Sequence, residues 1–330
     1  MQDKLSDKER VYIDPQVVPV IERMLATMAE RGPVGSVPAD VMRQRFNEDV
    51  QAWNMELPAL PLIEDRVCNT SAGPIPVRLY DPQGDESELP CLVFFHGGGW
   101  VVGDLDTNER TLRLLALQSG VKVLSVDYPL APENRFPAAL DACVAVTRWV
   151  HENGQQWDLD PSRLAIGGDS AGGNLALSTA LDLRDAGENC LRFALLVYPA
   201  LSPEPHSHSH RLFGGGDFGL GTIAMDYFWS QYLADCAQRE NPRAAPLLAR
   251  MDEMPPMYLV TAGLDPLTDD STALAEKLRQ FDIPLVHRHY PGVIHGFFSM
   301  SLFLDAGAQA VTEAGAALRE ALFSNDRPHS

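Results

Sequence analysis

The sequence predicts an α/β fold: a mostly parallel, doubly wound sheet with helices on both faces and a helical cap. Three observations carry that prediction. Short apolar runs alternate with amphipathic helical stretches from about residue 91 to 200, and again from 257 onward, which is the rhythm of a parallel sheet. Within it, Leu164-Ala165-Ile166 runs into the glycine-rich stretch 167–173, after which Leu175, Ala176, Leu177, Ala180 and Leu181 recur at helical spacing. Between about 201 and 240 the rhythm breaks, and no buried-strand pattern is found.

A chain of 330 residues fits one large core with a smaller appendage. The net charge of −19, from 26 basic and 45 acidic residues, argues against nucleic acid and anionic membrane as partners, since both need basic patches. Cys68, Cys91, Cys143, Cys190 and Cys236 lack C-x-x-C spacing, and an odd, dispersed set suits a reducing compartment. MQDKLSDKER is charged where a signal peptide needs an apolar run, and no later stretch is long enough to span a bilayer. The expectation is a cytoplasmic soluble protein.

Residues 1–55 read as the N-terminal helical part of the cap. Asp14-Pro15 opens a segment striped by Val17, Val18, Ile21, Met24, Leu25 and Met28, and Gly32-Pro33 ends it. Segment 39–53 follows with Val41, Met42, Phe46, Val50 and Trp53. Residues 56–200 form the first part of the core. They hold strands at 63–69, 75–80, 91–95, 121–126, 164–166 and 193–198, and helices at 104–119, 136–152 and from 175. Residues 201–240 read as a cap insertion, containing HSHSH, RLFGGGDFGLG and the aromatic run Met225, Tyr227, Phe228, Trp229, Tyr232 and Leu233. Small residues in GGGDFGLG suit a moving lid. Residues 241–330 complete the core, with strands at 257–262 and 285–290 and helices at 269–280 and 306–323.

Gly168-Asp169-Ser170-Ala171-Gly172 is G-x-S-x-G between a strand and a helix, the context this motif requires. A serine on so tight a turn needs minimal side chains two residues before and after it, because the chain folds back on itself. The turn lifts the Ser170 hydroxyl to the top of the sheet, beside the positive end of the following helix. Five residues alone also fit a glycine-rich turn in an ordinary βα unit, so a base, an acid and an oxyanion hole must come from elsewhere. Asp265 follows strand 257–262 and His295 follows strand 285–290, and loops at strand carboxyl ends share one edge of the sheet. The order Ser, Asp, His with G-x-S-x-G is the α/β-hydrolase arrangement. Asp269 and Asp270 begin the next helix, where acidic residues are ordinary N-terminal caps.

His96-Gly97-Gly98-Gly99 follows strand 91–95. Its glycines let the backbone turn N–H groups inward, so Gly97 and Gly98, with Ala171 from the elbow, are the expected oxyanion donors. His96, Gly99, Gly168, Asp169 and Gly172 are supporting positions. The 96–99 loop carries neither the P-loop nor the Rossmann glycine pattern. His206, His208 and His210 would place three imidazoles on one face of an extended segment. Their alternation with serine reads instead as a solvated loop, and no metal or organic cofactor is expected.

At these residues the chain resembles the hormone-sensitive-lipase-like esterases, the bacterial family IV carboxylesterases. HGGGW with GDLDTNE, DYPLAPENRFPAALDA, GGDSAGGNLA, NPRAAPL, AGLDPLTDD and HGF follow the family's pattern in its order, over nearly the whole chain. The resemblance implies Ser170, Asp265 and His295 as catalytic triad, Gly97, Gly98 and Ala171 as oxyanion hole, and a cap made of the N-terminal helices and the insertion. It further implies short- to medium-chain ester substrates, the GDSAG subgroup, and a homodimer through the last strand and helix. Pro129, Asn134-Arg135 and Ser271 depart from the pattern around the pocket, outside the triad. Two alternatives share the resemblance. Arylacetamide deacetylases cleave amides with the same machinery, and the plant gibberellin receptors look like this family but lack the catalytic histidine, which is present here as His295.

Overall fold

The structure, a computed structural model, describes residues 11–324. Its strands are β1 (Leu62–Thr70), β2 (Gly73–Asp81), β3 (Leu89–Phe95), β4 (Lys122–Val126), β5 (Leu159–Asp169), β6 (Leu191–Val197), β7 (Met257–Leu264) and β8 (Leu285–Ile294). They form one sheet in the order β1-β2-β4-β3-β5-β6-β7-β8. β1 pairs antiparallel with β2, and β2 with β4, while the remaining neighbours are parallel.

Sequence alternation sorts the sheet's two faces. In β3, Cys91, Val93 and Phe95 enter one core with the helices α4 (Ala138–Asn153), α5 (Ala171–Asp185) and α8 (Thr268–Gln280). Leu92 and Phe94 enter the other core, with α3 (Glu109–Ser119), α9 (Asp305–Phe323) and part of α1 (Val17–Arg31), which α2 (Ala39–Val50) follows in the chain. Because both faces are covered, central strands are apolar throughout, and every residue of β3 is buried. The order turns around at β3, with β4 on one side and β5 on the other. Such a reversal opens a crevice at the strands' carboxyl ends, and the loops 96–99 and 169–171 both leave the sheet there.

Several expected boundaries move. The helix expected from residue 104 begins at Glu109, because 104–107 is held as a turn: the Asp104 side chain accepts from Asp106 N and the Asp104 N–H bonds Thr107 Oγ1. β5 extends well beyond 164–166. The insertion contains α6 (His208–Phe213) and α7 (Thr222–Tyr232), joined by the glycine-rich loop. That loop is pinned rather than open, by a Gly215–Gly221 bridge and by Thr222 N to Gly214 O at 2.8 Å. The HSHSH segment is not a solvated loop. Ser207 caps α6 by accepting from His210 N, and His210 is buried with Nδ1 3.0 Å from Thr222 Oγ1. Helical geometry thus spreads the imidazoles instead of aligning them on one extended face. No helix among the described residues is long and apolar enough to cross a membrane.

Candidate active site

Ser170 sits between β5 and α5 with φ 55° and ψ −118°, a conformation that L-residues adopt only when the surroundings enforce it. The surroundings are backbone. A Cβ on Gly168 would lie 2.3 Å from Gly172 O, and one on Gly172 would lie 1.9 Å from Phe95 O. The two glycines therefore let the turn close on itself and press against the end of β3. The Ser170 N–H is held by Val197 O of β6 at 2.9 Å.

Ser170, His295 and Asp265 form one hydrogen-bonded chain: His295 Nε2 lies 2.9 Å from Ser170 Oγ, and Nδ1 lies 2.6 Å from Asp265 Oδ2. Asp265 is buried, and its second oxygen accepts from Leu267 N at 2.9 Å, which fixes the carboxylate plane. Tyr198, at the end of β6, packs its ring on His295 with centroids 4.5 Å apart. The elements carrying the chain are three strands and the loops after them, so the site stands on the rigid sheet.

The 96–99 loop corrects one expectation. The Gly97 N–H donates to Asp169 Oδ1 at 2.9 Å, so it is occupied and does not face the serine as a free donor. Among the described residues, no backbone carbonyl accepts from the N–H of Gly98 or Gly99, and Ala171 opens α5, where the first N–H groups have no partner within the helix. Gly98 has φ 120°, a value that needs glycine, and Gly98 and Gly99 line the same cavity as Ser170. His96 is buried behind it. Its Nδ1–H donates to Gly97 O at 2.7 Å, and its own carbonyl accepts from Tyr128 OH at 2.7 Å. Burial lowers the His96 pKa to about 4, so the ring is neutral at pH 7 and acts as scaffold.

A family model for the α/β-hydrolase fold matches residues 92–299, from β3 through the His295 loop. The chain is 34% identical over 286 residues to an acetyl esterase of Salmonella typhi, covering 84% of this chain and 86% of that one. An esterase of Pyrobaculum calidifontis superposes with a TM-score of 0.87 at 32% identity, covering 93% of this chain and 98% of that one. A thermostable esterase of Pseudomonas putida superposes with a TM-score of 0.88 at 29% identity, covering 96% and 100%. The chain belongs to the hormone-sensitive-lipase-like, family IV carboxylesterases. It is a carboxylic-ester hydrolase, and its substrate is a small-molecule ester.

The esterase's Ser170 opens into a largely apolar cavity of about 490 Å³. Met24, Phe46 and Trp53 line it from the N-terminal segment, and Leu220, Ile223 and Phe228 line it from the insertion. The two segments touch, since Gly219 lies against Met24 and Gly35 against Tyr227. Trp100, directly after the glycine loop, stacks on Tyr232 with centroids 4.4 Å apart and planes at 5°, tying α7 to that loop. Arg135, one of the departures from the family pattern, donates to Leu233 O at 2.7 Å and holds the same end of the insertion.

Asp269 and Asp270 do not cap their own helix as expected. The N-cap position of α8 is Leu267, and both carboxylates reach across to the insertion. Asp270 Oδ2 accepts from Leu201 N and Ser202 N at 2.8 and 3.0 Å, and Asp269 Oδ2 accepts from Ser209 N at 2.9 Å. Burial, with Asp265 and Asp269 nearby, pushes Asp270 up to about 7. Asn108 and Tyr198 also belong to the site, and neither stood out in the sequence. Only a fold reveals that the loop after β3 doubles back beneath the elbow. No group of three or more His, Cys, Asp or Glu that could hold a metal occurs among the described residues.

Proposed function

We propose that the esterase works as a serine hydrolase through an acyl-enzyme. Ser170 Oγ attacks the ester carbonyl carbon while its proton passes to His295 Nε2. The tetrahedral oxyanion is held by N–H groups, and collapse breaks the C–O bond as Nε2–H protonates the departing alcohol. Water then repeats the sequence on the acyl-serine, giving its proton to His295 and releasing the acid. Asp265 keeps the Nδ1–H tautomer and stabilises the imidazolium. The observation that carries this reading is the continuous Ser170–His295–Asp265 chain at the mouth of the cavity. The oxyanion donors are Gly98, Gly99 and Ala171, with Gly97 replaced in that role because Asp169 occupies its N–H.

Residues 1–55 and 201–240 act as a cap in this reading, supported by the apolar walls that both supply to the cavity. A roofed pocket favours short acyl groups, and the acetyl ester named for the Salmonella relative fits that volume. Asp169 and the DPL at 265–267 support the GDSAG subgroup. β8 is an edge strand with Val286 exposed, which supports a homodimer through β8 and α9, readable by light scattering.

The test is hydrolysis of p-nitrophenyl esters from acetyl to palmitoyl by wild type, Ser170→Ala and His295→Ala. Turnover should be highest on short chains and nearly abolished in both variants. Wild-type turnover by Ser170→Ala would sink the mechanism, and a maximum at palmitoyl would sink the cap's role.

A further inference from the structure

We infer that Asn108 is a positioning residue for the oxyanion loop, acting through Asp169 and locked by Ser299. The inference rests on the serine-hydrolase reading above. Asn108 occupies the N-cap position of α3, where an asparagine ordinarily accepts from the first turn's N–H groups. It makes no such bond. Its buried side chain turns into the site instead: Nδ2 donates to Asp169 Oδ1 at 2.7 Å, and Oδ1 accepts from Ser299 Oγ at 2.9 Å. The same Asp169 oxygen accepts from Gly97 N. One amide therefore joins the glycine loop, the elbow and the segment after His295.

The amide's orientation is not free. A carboxylate only accepts, so Nδ2 must face Asp169, and Oδ1 must then face the Ser299 hydroxyl. Asp169 in turn holds Gly97, and the two residues after Gly97 carry the N–H groups left for an oxyanion. A shift in Asp169 would be passed to those donors, whose alignment matters mainly in the transition state.

Asp169 is buried, which raises its pKa, while the bonds from Asn108 and Gly97 and the charge of His295 act the other way. Tyr198 and Tyr128 face it from the ends of β6 and β4. Glu109, next to Asn108, points away to Arg78 and Tyr80. Two substitutions therefore give pH signatures of opposite sign. Asn108→Ala removes one of the bonds that keep Asp169 ionised, so its deficit should be worst at low pH and shrink as pH rises. Asn108→Asp places a second carboxyl against Asp169. The pair retains one proton at low pH, when the introduced carboxyl, as an acid, can donate as the amide did, and loses it as pH rises. Its deficit should therefore grow with pH.

The experiment measures kcat and KM on p-nitrophenyl acetate from pH 5.5 to 9 for wild type, Asn108→Ala and Asn108→Asp. Each preparation is normalised by the p-nitrophenolate released when diethyl p-nitrophenyl phosphate labels the active serine. Asn108→Ala should lose roughly 10- to 100-fold in kcat per titrated serine, less than or equal to deletion of a direct donor, with KM little changed. The two variants' deficits should slope oppositely with pH. A kcat per serine within about twofold of wild type for Asn108→Ala, or deficits that do not vary with pH in either variant, would overturn the inference. Absence of labelling in wild type would instead remove the serine reading on which it stands.

Discussion

Asp265→Asn is the sharpest probe of the proposed mechanism, because the structure dictates how the new amide must sit. Asp265 uses its two oxygens differently: Oδ2 meets His295 Nδ1 at 2.6 Å, and Oδ1 accepts from Leu267 N at 2.9 Å. Leu267 N can only donate, and at this buried position losing its acceptor costs about 1–3 kcal/mol. The asparagine oxygen is therefore drawn to Leu267, leaving the NH₂ group facing His295. An NH₂ cannot accept from Nδ1–H, so the imidazole must take the other tautomer. Its proton then sits on Nε2, pointing at Ser170 Oγ, where a base is required. The kinetic loss in such a case is about 10⁴-fold in kcat, or about 5 kcal/mol. Hydrogen-bond count is preserved, so the melting temperature should change by only a few degrees. The assay is kcat on p-nitrophenyl acetate, with thermal unfolding as control. A folded variant retaining more than a tenth of wild-type kcat would refute the role of Asp265 and the tautomer reasoning together.

Two further outcomes follow from the insertion and its anchor. Asp270 has a folded pKa near 7 against an ordinary 3.8, so its contribution to stability is full below about pH 4 and is lost as pH rises through 7. Asp270→Asn imitates the protonated acid and should raise the melting temperature at pH 8 by several degrees, by less near pH 5, and not at all below about pH 4, and an equal difference at pH 5 and pH 8 would refute the clamp's titration. The Phe228 ring packs on Gly99 and lines the cavity, so Phe228→Ala should raise kcat/KM for octanoate relative to acetate several-fold, as measured with the two p-nitrophenyl esters, and an unchanged ratio would remove Phe228 from the acyl wall.

What the sequence disclosed depended on how local each feature was. Ser170, its flanking glycines and the strand ahead of it lie within a dozen residues, so their geometry is written in one stretch. The α/β rhythm is local in the same way. Asp265 and His295 were legible because loops after parallel strands share an edge, whatever the exact strand order. Gly97 was misread because its partner, Asp169, lies far along the chain, and only the pairing of β3 with β5 brings them together. Asp269 and Asp270 were misread for a related reason. A carboxylate at a helix start has a local use as a cap, and nothing nearby in sequence signals that the insertion offers better-placed N–H groups. The starts of α3 at Glu109 and α6 at His208 escape the sequence pattern because short polar side chains bonding nearby backbone, Asp104 and Thr107 before α3 and Ser207 at α6, decide them.

The strand order also explains why the insertion is anchored where it is, as the proposed cap requires. A cap over a site at a switch point must be tied to the sheet near the carboxyl ends of the strands, or it would not roof the crevice. The insertion leaves after β6, one strand from β7, and the acid loop after β7 meets it at once. Asp265 turns toward His295, while Asp269 and Asp270, on the first turn of α8, turn toward the insertion. One loop thus orients the imidazole and holds the roof. On either side of the insertion, Ala200 O and Ala244 O accept from Asn174 Nδ2 of α5 at 2.8 and 2.9 Å, closing its two ends onto the helix that Ser170 begins. α7 and the glycine loop before it are held by other partners, among them Met24, Gly35, Gly99, Trp100 and Arg135, none of which belongs to the triad.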